Sequence, residues 1–123
     1  MSGPETLGPD TVETALEALF RQAEAAWEVL KRDSDALPLE GAGDALEATV
    51  DVLDLIWAVL GALTARAEVI REREMTERRE GSSFEVMDDA LVHLSYGLDG
   101  LMVARHLVGM GRGEVLRIVR GEA

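Results

Sequence analysis

Three carboxylates stand where chemistry could use them. Glu47, Asp51 and Asp54 lie in the stretch Gly43 to Ala65, GDALEATVDVLDLIWAVLGALTA, which is otherwise almost wholly apolar. At 100° per residue of helix they fall within about 60° of arc, on one stripe. The stripe continues through Ala58, Gly61 and Ala65, small enough for another helix to come close. Acidic side chains are rarely buried without a partner or a cation. Asp51 and Asp54 are spaced i, i+3, and Glu24 and Glu28 i, i+4, so each pair puts two oxygen ligands on one helix face, as suits octahedral Mg²⁺ or Mn²⁺. Two antiparallel helices carrying these pairs would hold a divalent cation able to bind the phosphates of a nucleotide.

Each of these residues also has a plainer reading. Glu47 follows Asp44 by three residues, the spacing of a capping box. Glu24 and Glu28 share a solvated stripe with Glu13, Glu17 and Lys31. Asp51 and Asp54 could face solvent, or pair with an arginine from the third helix or from a second subunit. Further along, Glu85, Asp89 and His93 recur at four-residue intervals, and Asp89 with His93 could form a metal pair or an imidazole oriented by a carboxylate. A histidine packed against a neighbouring helix is the simpler account. His106, thirteen residues on, points elsewhere, and no Glu-x-x-His occurs, as a di-iron site would need. The chain has no cysteine, which excludes disulfides, thiolate zinc sites and a cysteine nucleophile. GxxxxGK[ST], GxGxxG, GxSxG and HExxH are all absent.

The elements that must position these residues are helices. Only three prolines occur, at positions 4, 9 and 38, and Ala, Leu, Glu and Arg dominate, all good helix formers. Three capping-box signatures, Asp10 with Glu13, Asp44 with Glu47 and Ser82 with Glu85, mark three helix starts. The first helix is predicted over Thr11 to Arg32, with Val12, Leu16, Leu19, Ala23, Ala26, Trp27 and Leu30 on its apolar side. An eleven-residue loop, Asp33 to Gly43, follows. The second helix starts near Ala45 and could continue to Arg79, its first half apolar all round and therefore central. The third runs from Phe84 to about Val108 on the seam Phe84, Met87, Leu91, Leu94, Leu98 and Leu101, with Gly109 as its stop. A short helix from about Gly113 to Arg120 ends the chain. The expected fold is thus all-α: a small bundle of three long helices plus a short C-terminal helix. Residues 1–10 are expected to be a flexible N-terminus and 11–123 a single bundle domain. ExxxDxL occurs at Glu47–Leu53 and again at Glu85–Leu91, a repeat that helix-start preferences alone can generate.

The segments AEAAWEVLKR (Ala23–Arg32) and LEATVDVLDLIWAVL (Leu46–Leu60) resemble the metal-binding helix pair of MazG-like all-α nucleotide pyrophosphohydrolases. ERREGSSFE (Glu77–Glu85) is similar to a segment after the second helix in some members. The resemblance implies a carboxylate Mg²⁺ site between the first two helices, drawn from Glu24, Glu28, Glu47, Asp51 and Asp54, that activates water against a phosphoanhydride. It also implies a dimer. Ala25 and Ala48 stand where the family pattern has acids, which points to an inactive member or a rebuilt site.

Charge narrows the partners. Of 123 residues, 24 are acidic and 12 basic, a formal charge of −12. Residues 1–60 hold 13 acids against 3 bases, residues 61–123 11 against 9. Such a surface repels phosphate backbones, so no nucleic-acid partner is expected. The longest apolar run, Leu55 to Leu63, is nine residues, against about 20 for a span, and the first ten residues carry no signal-peptide pattern. The expectation is a cytoplasmic protein with no membrane partner. Two functions stand side by side. One is a MazG-like pyrophosphohydrolase acting on a nucleotide. The other is a non-enzymatic helical interaction or assembly protein, homo-oligomeric or bound to another protein, whose acidic half steers a basic partner.

Overall fold

The computed structural model describes residues 9–74 and 82–122. All regular structure among them is helical: α1 Pro9–Asp33, a 3₁₀ turn Ser34–Ala36, α2 Leu39–Glu74 and α3 Ser82–Val119. The chain divides into two compact units, Met1–Pro38 and Leu39–Ala123.

The first unit is α1 with its closing 3₁₀ turn. Lys31 and Arg32 occupy the last turn of α1, where positive charge suits the helix dipole. Lys31 pairs with Glu28 at 2.9 Å and lies 5.6 Å over the Trp27 ring. The Leu37 amide donates to the Ser34 carbonyl at 3.1 Å and closes the turn.

The start of α2 departs from expectation. The helix begins at Leu39 rather than near Ala45, so Asp44 is interior and caps nothing. Pro38 sets this boundary: it holds Leu37 extended at φ −79°, ψ 114°, because a residue before proline avoids the helical region. Only five residues separate α1 from α2, and Gly41 and Gly43 are taken into the helix. The side chains of Asp10 and Ser82, the other two capping residues, lie outside the described residues, as do positions 75–79, where the second helix was expected to end.

In the second unit α2 and α3 form an antiparallel hairpin in one register. At one end Val115 and Leu116 of α3 lie 3.5 Å from where a Cβ on Gly43 would sit. In the middle Gly61 faces Leu98 and Gly97 faces Leu60. At the other end Arg71 meets Asp88. The expected α3 seam from Phe84 to Leu101 is half-buried throughout, and its partner on α2 is Leu46, Val50, Leu53, Leu60 and Ala67, the alternating 3-4 spacing of near-antiparallel packing. Thr64 sits in this seam at 8% exposure; its hydroxyl donates to the Leu60 carbonyl at 2.8 Å, which satisfies this buried polar group.

The C-terminal end is the second departure. Gly109 does not stop α3, and no separate short helix follows, for the helix runs on through Gly111 and Gly113 to Val119. Each internal glycine costs a helix roughly 1 kcal/mol relative to alanine. The seam offsets that cost, since Val108, Arg112 and Val115 continue its spacing and reach Glu47 and Gly43 on α2. The stop is Gly121 at φ +71°, whose amide donates to the Ile118 carbonyl while the Glu122 amide donates to that of Arg117. This is the Schellman arrangement that glycine permits at low strain.

Within this unit α2 has one neighbouring helix, so only its seam is covered. The expectation of a central, enclosed helix does not hold there: Leu55 is 63% exposed and Leu63 46%. Among the described residues no hydrophobic side chain is fully buried.

Candidate functional site

The hairpin has two unlike flanks, and the carboxylate stripe defines one of them. Glu47, Asp51 and Asp54 project from the same side of α2, as their spacing requires, and all three are exposed. The residues that meet them come from the inward face of α3. Arg105 donates to Asp54 through Nε at 2.8 Å and through a second guanidinium nitrogen at 3.4 Å. Arg112 lies 3.3 Å from Glu47. Asp51 adds its charge to the field at Arg105, whose guanidinium is held more firmly protonated than usual, first by the hydrogen bond to Asp54, then by the charge of Asp54. Of the alternatives for Asp54, an arginine of the third helix is the one observed.

Neither Arg105 nor Arg112 is among the site residues expected from the sequence. Their signal was the seam. After Leu98 and Leu101 the 3-4 spacing lands on Arg105, Val108 and Arg112, so two arginines occupy positions that face α2. An inward guanidinium needs an acid opposite, and the stripe on α2 supplies it.

A third cross-hairpin pair lies at the other end. Arg71 donates to Asp88 at 2.5 Å and pairs with Glu72, and it stands 5.7 Å over the Phe84 ring. These hydrogen bonds, Glu72 before Asp88, raise its pKa above the ordinary arginine value. Two concavities open on this flank. One, of about 280 Å³, is lined by Asp54, Trp57, Leu101, Met102 and Arg105; the other surrounds Glu68, Arg71 and Asp88.

Glu24 and Glu28 belong to α1 and therefore to the other unit. Both are exposed, and Glu28 pairs with Lys31. Glu85, Asp89 and His93 are exposed along α3. Among the described residues, no group of three or more histidine or acidic side chains gathers closely enough to hold a metal ion.

The opposite flank is apolar along its middle, with His93 of α3 on the same face one turn before Gly97. By helical angle Val52, Ile56, Val59 and Leu63 of α2 project away from the carboxylate stripe, and α3 lines the same side with Gly97, Gly100 and Ala104. Leu63 is exposed there, and so is Leu107, at 59%. α2 is also long and apolar enough, by composition, to cross a membrane: its best window reaches a mean hydropathy of 1.7. No protein-family model, curated protein or solved structure matches this chain.

Proposed function

We propose that this protein is a non-enzymatic helical interaction and assembly module whose α2–α3 hairpin is completed by the helices of a protein partner. One observation carries the reading: no hydrophobic side chain among the described residues is buried, while Leu55, Val86, Tyr96 and Leu107 are each more than half exposed. Apolar surface on this scale marks a binding surface. A two-helix layer has no second layer to bury its apolar sides. In this reading the expected bundle forms when the partner's helices supply that layer.

The carboxylates support the same reading. Asp54 has both oxygens engaged by Arg105 and Glu47 is paired with Arg112, so a divalent cation on the stripe would have to displace an arginine at each. Arginine-paired acids are a poor fit to the Mg²⁺ site that a MazG-like pyrophosphohydrolase needs. The exposed carboxylates serve instead to hold the hairpin register and to draw in a basic partner.

The test is a titration with Mg²⁺ and Mn²⁺ followed by tryptophan fluorescence, Trp57 lying beside Asp54 in the same concavity, together with a hydrolysis assay over a nucleotide panel. The expected result is no saturable metal response and no hydrolysis. Metal-dependent hydrolysis that disappears in Asp51→Asn would overturn the proposal.

A further inference from the structure

Resting on the interaction reading, we propose that the carboxylate flank of the hairpin is a groove for a basic amphipathic helix of another protein. Two ends and a floor define it. At one end Trp57 and Met102, 41% and 56% exposed, wall the concavity that Asp54 and Arg105 also line. At about 280 Å³ it is smaller than the roughly 300–1,000 Å³ of small-molecule sites, a size that suits a partner's side chain. Tryptophan and methionine are residue types that interfaces favour as apolar anchors. At the other end a more open concavity is lined by Glu68, Arg71 and Asp88. Between the two, the α2 side of the flank is Ala58, Gly61 and Ala65, none with more than a methyl group.

Length and backbone chemistry point to a helix as the occupant. From Asp54 to Arg71 α2 rises about 26 Å, which a partner helix of about 18 residues matches. An extended segment on the same low floor would leave backbone amides and carbonyls unpaired against apolar surface, whereas a helix satisfies its own. One helix of this length makes a small interface, of the transient kind.

Charge sets the chemistry of that helix. At one end the three carboxylates of the stripe stand beside Arg105 and Arg112. At the other, Glu68, Glu72 and Asp88 stand beside Arg71. Each of these arginines is already paired with an acid of the flank, so the flank keeps a negative excess. Arg105 and Arg112 hold Asp54 and Glu47, while Asp51 between them is exposed and open to a lysine or arginine of the partner. A second copy, at a formal charge of −12, would meet this flank acid against acid. A bilayer would take the salt-bridged Asp54 and Arg105 into hydrocarbon, where ionised groups are expensive.

Fluorescence titration of the full chain carrying Trp27→Phe, which leaves Trp57 as its one tryptophan, tests the inference. The probe is a peptide of about 18 residues, made of leucine, lysine and alanine, with the leucines spaced i, i+3, i+4, i+7 along one helix face. The expected result is a saturable Trp57 response in the micromolar range that weakens with salt. Ala58 is exposed in the hairpin, so Ala58→Leu raises the floor without entering the seam and should weaken binding at least about tenfold. Asp51→Lys should weaken it at least about threefold, and carries the test should Ala58→Leu lose its helical circular dichroism. Glu114, exposed on the side of α3 opposite Arg105, is the control: Glu114→Lys makes the same charge change and should leave the Kd within about twofold. No saturable response, a Kd indifferent to both flank variants, or equal binding of a peptide with glutamate in place of lysine would overturn the inference. So would a two-chain mass in sedimentation equilibrium that Ala58→Leu abolishes, which would give the groove to a second copy. Absence of peptide binding without metal-dependent hydrolysis removes the groove and leaves the interaction reading; metal-dependent hydrolysis removes that reading whether or not the peptide binds.

Discussion

Replacing Gly109 and Gly113 with alanine puts the continuity of α3 to a direct test. Both glycines lie inside the helix, and a Cβ at either would meet nothing within 4 Å, so the methyl group brings no steric cost. Alanine is favoured over glycine in a helix interior by about 0.8–1.0 kcal/mol, through the smaller backbone entropy lost on folding. With partial exposure at both sites, each substitution should stabilise by about 0.5–1 kcal/mol and the pair by about 1–2 kcal/mol. For a cooperative unit of this size that is a rise of several degrees in Tm, about 4–8 °C per kcal/mol. Urea unfolding followed by circular dichroism at 222 nm, at one fixed protein concentration, measures both numbers. Gly121→Ala is the internal control: it forces alanine to φ +71° and should destabilise by about 1–2 kcal/mol. If Gly109→Ala were destabilising as well, the helix would break at Gly109 and the argument that the seam carries α3 to Val119 would be refuted.

Other outcomes follow from the hairpin's polar contacts. A double-mutant cycle of Asp54→Asn and Arg105→Gln should give a small favourable coupling at low salt that shrinks in 1 M salt; zero coupling at low salt would show that the pair does not hold the register in solution. Thr64→Val keeps the seam volume and leaves the Leu60 carbonyl its helical partner, so its urea midpoint should be unchanged or higher. A loss above about 1 kcal/mol would mean that the hydroxyl carries a contact across the hairpin.

Much of the fold was legible because it rests on local preference and periodicity. The composition and the 3-4 spacing from Phe84 to Leu101 identified helices and the packed side of α3, and 100° per residue placed Glu47, Asp51 and Asp54 on one stripe. The helix boundaries were misread where two local signals competed. Asp44 and Glu47 look like a cap, but Pro38 had already started the helix; Gly109 looks like a stop, but the residues beyond it still had a partner on α2. Local propensities of about 1 kcal/mol per residue decide such cases only when no tertiary contact outweighs them.

The candidate site divides along the same line. By itself the sequence determined an all-helical chain, a carboxylate stripe on the second helix, and a charge of −12 that argues against phosphate backbones. Only the tertiary structure decided what faces the stripe, because register is a property of two helices at once. The antiparallel pairing of α2 with α3 brings Arg105 to Asp54 and Arg112 to Glu47 across more than fifty residues of chain, and makes the stripe one side of a hairpin. Within the second unit the same pairing buries the seam between α2 and α3 and leaves their flanks to other contacts, because two helices cover only the surface they share.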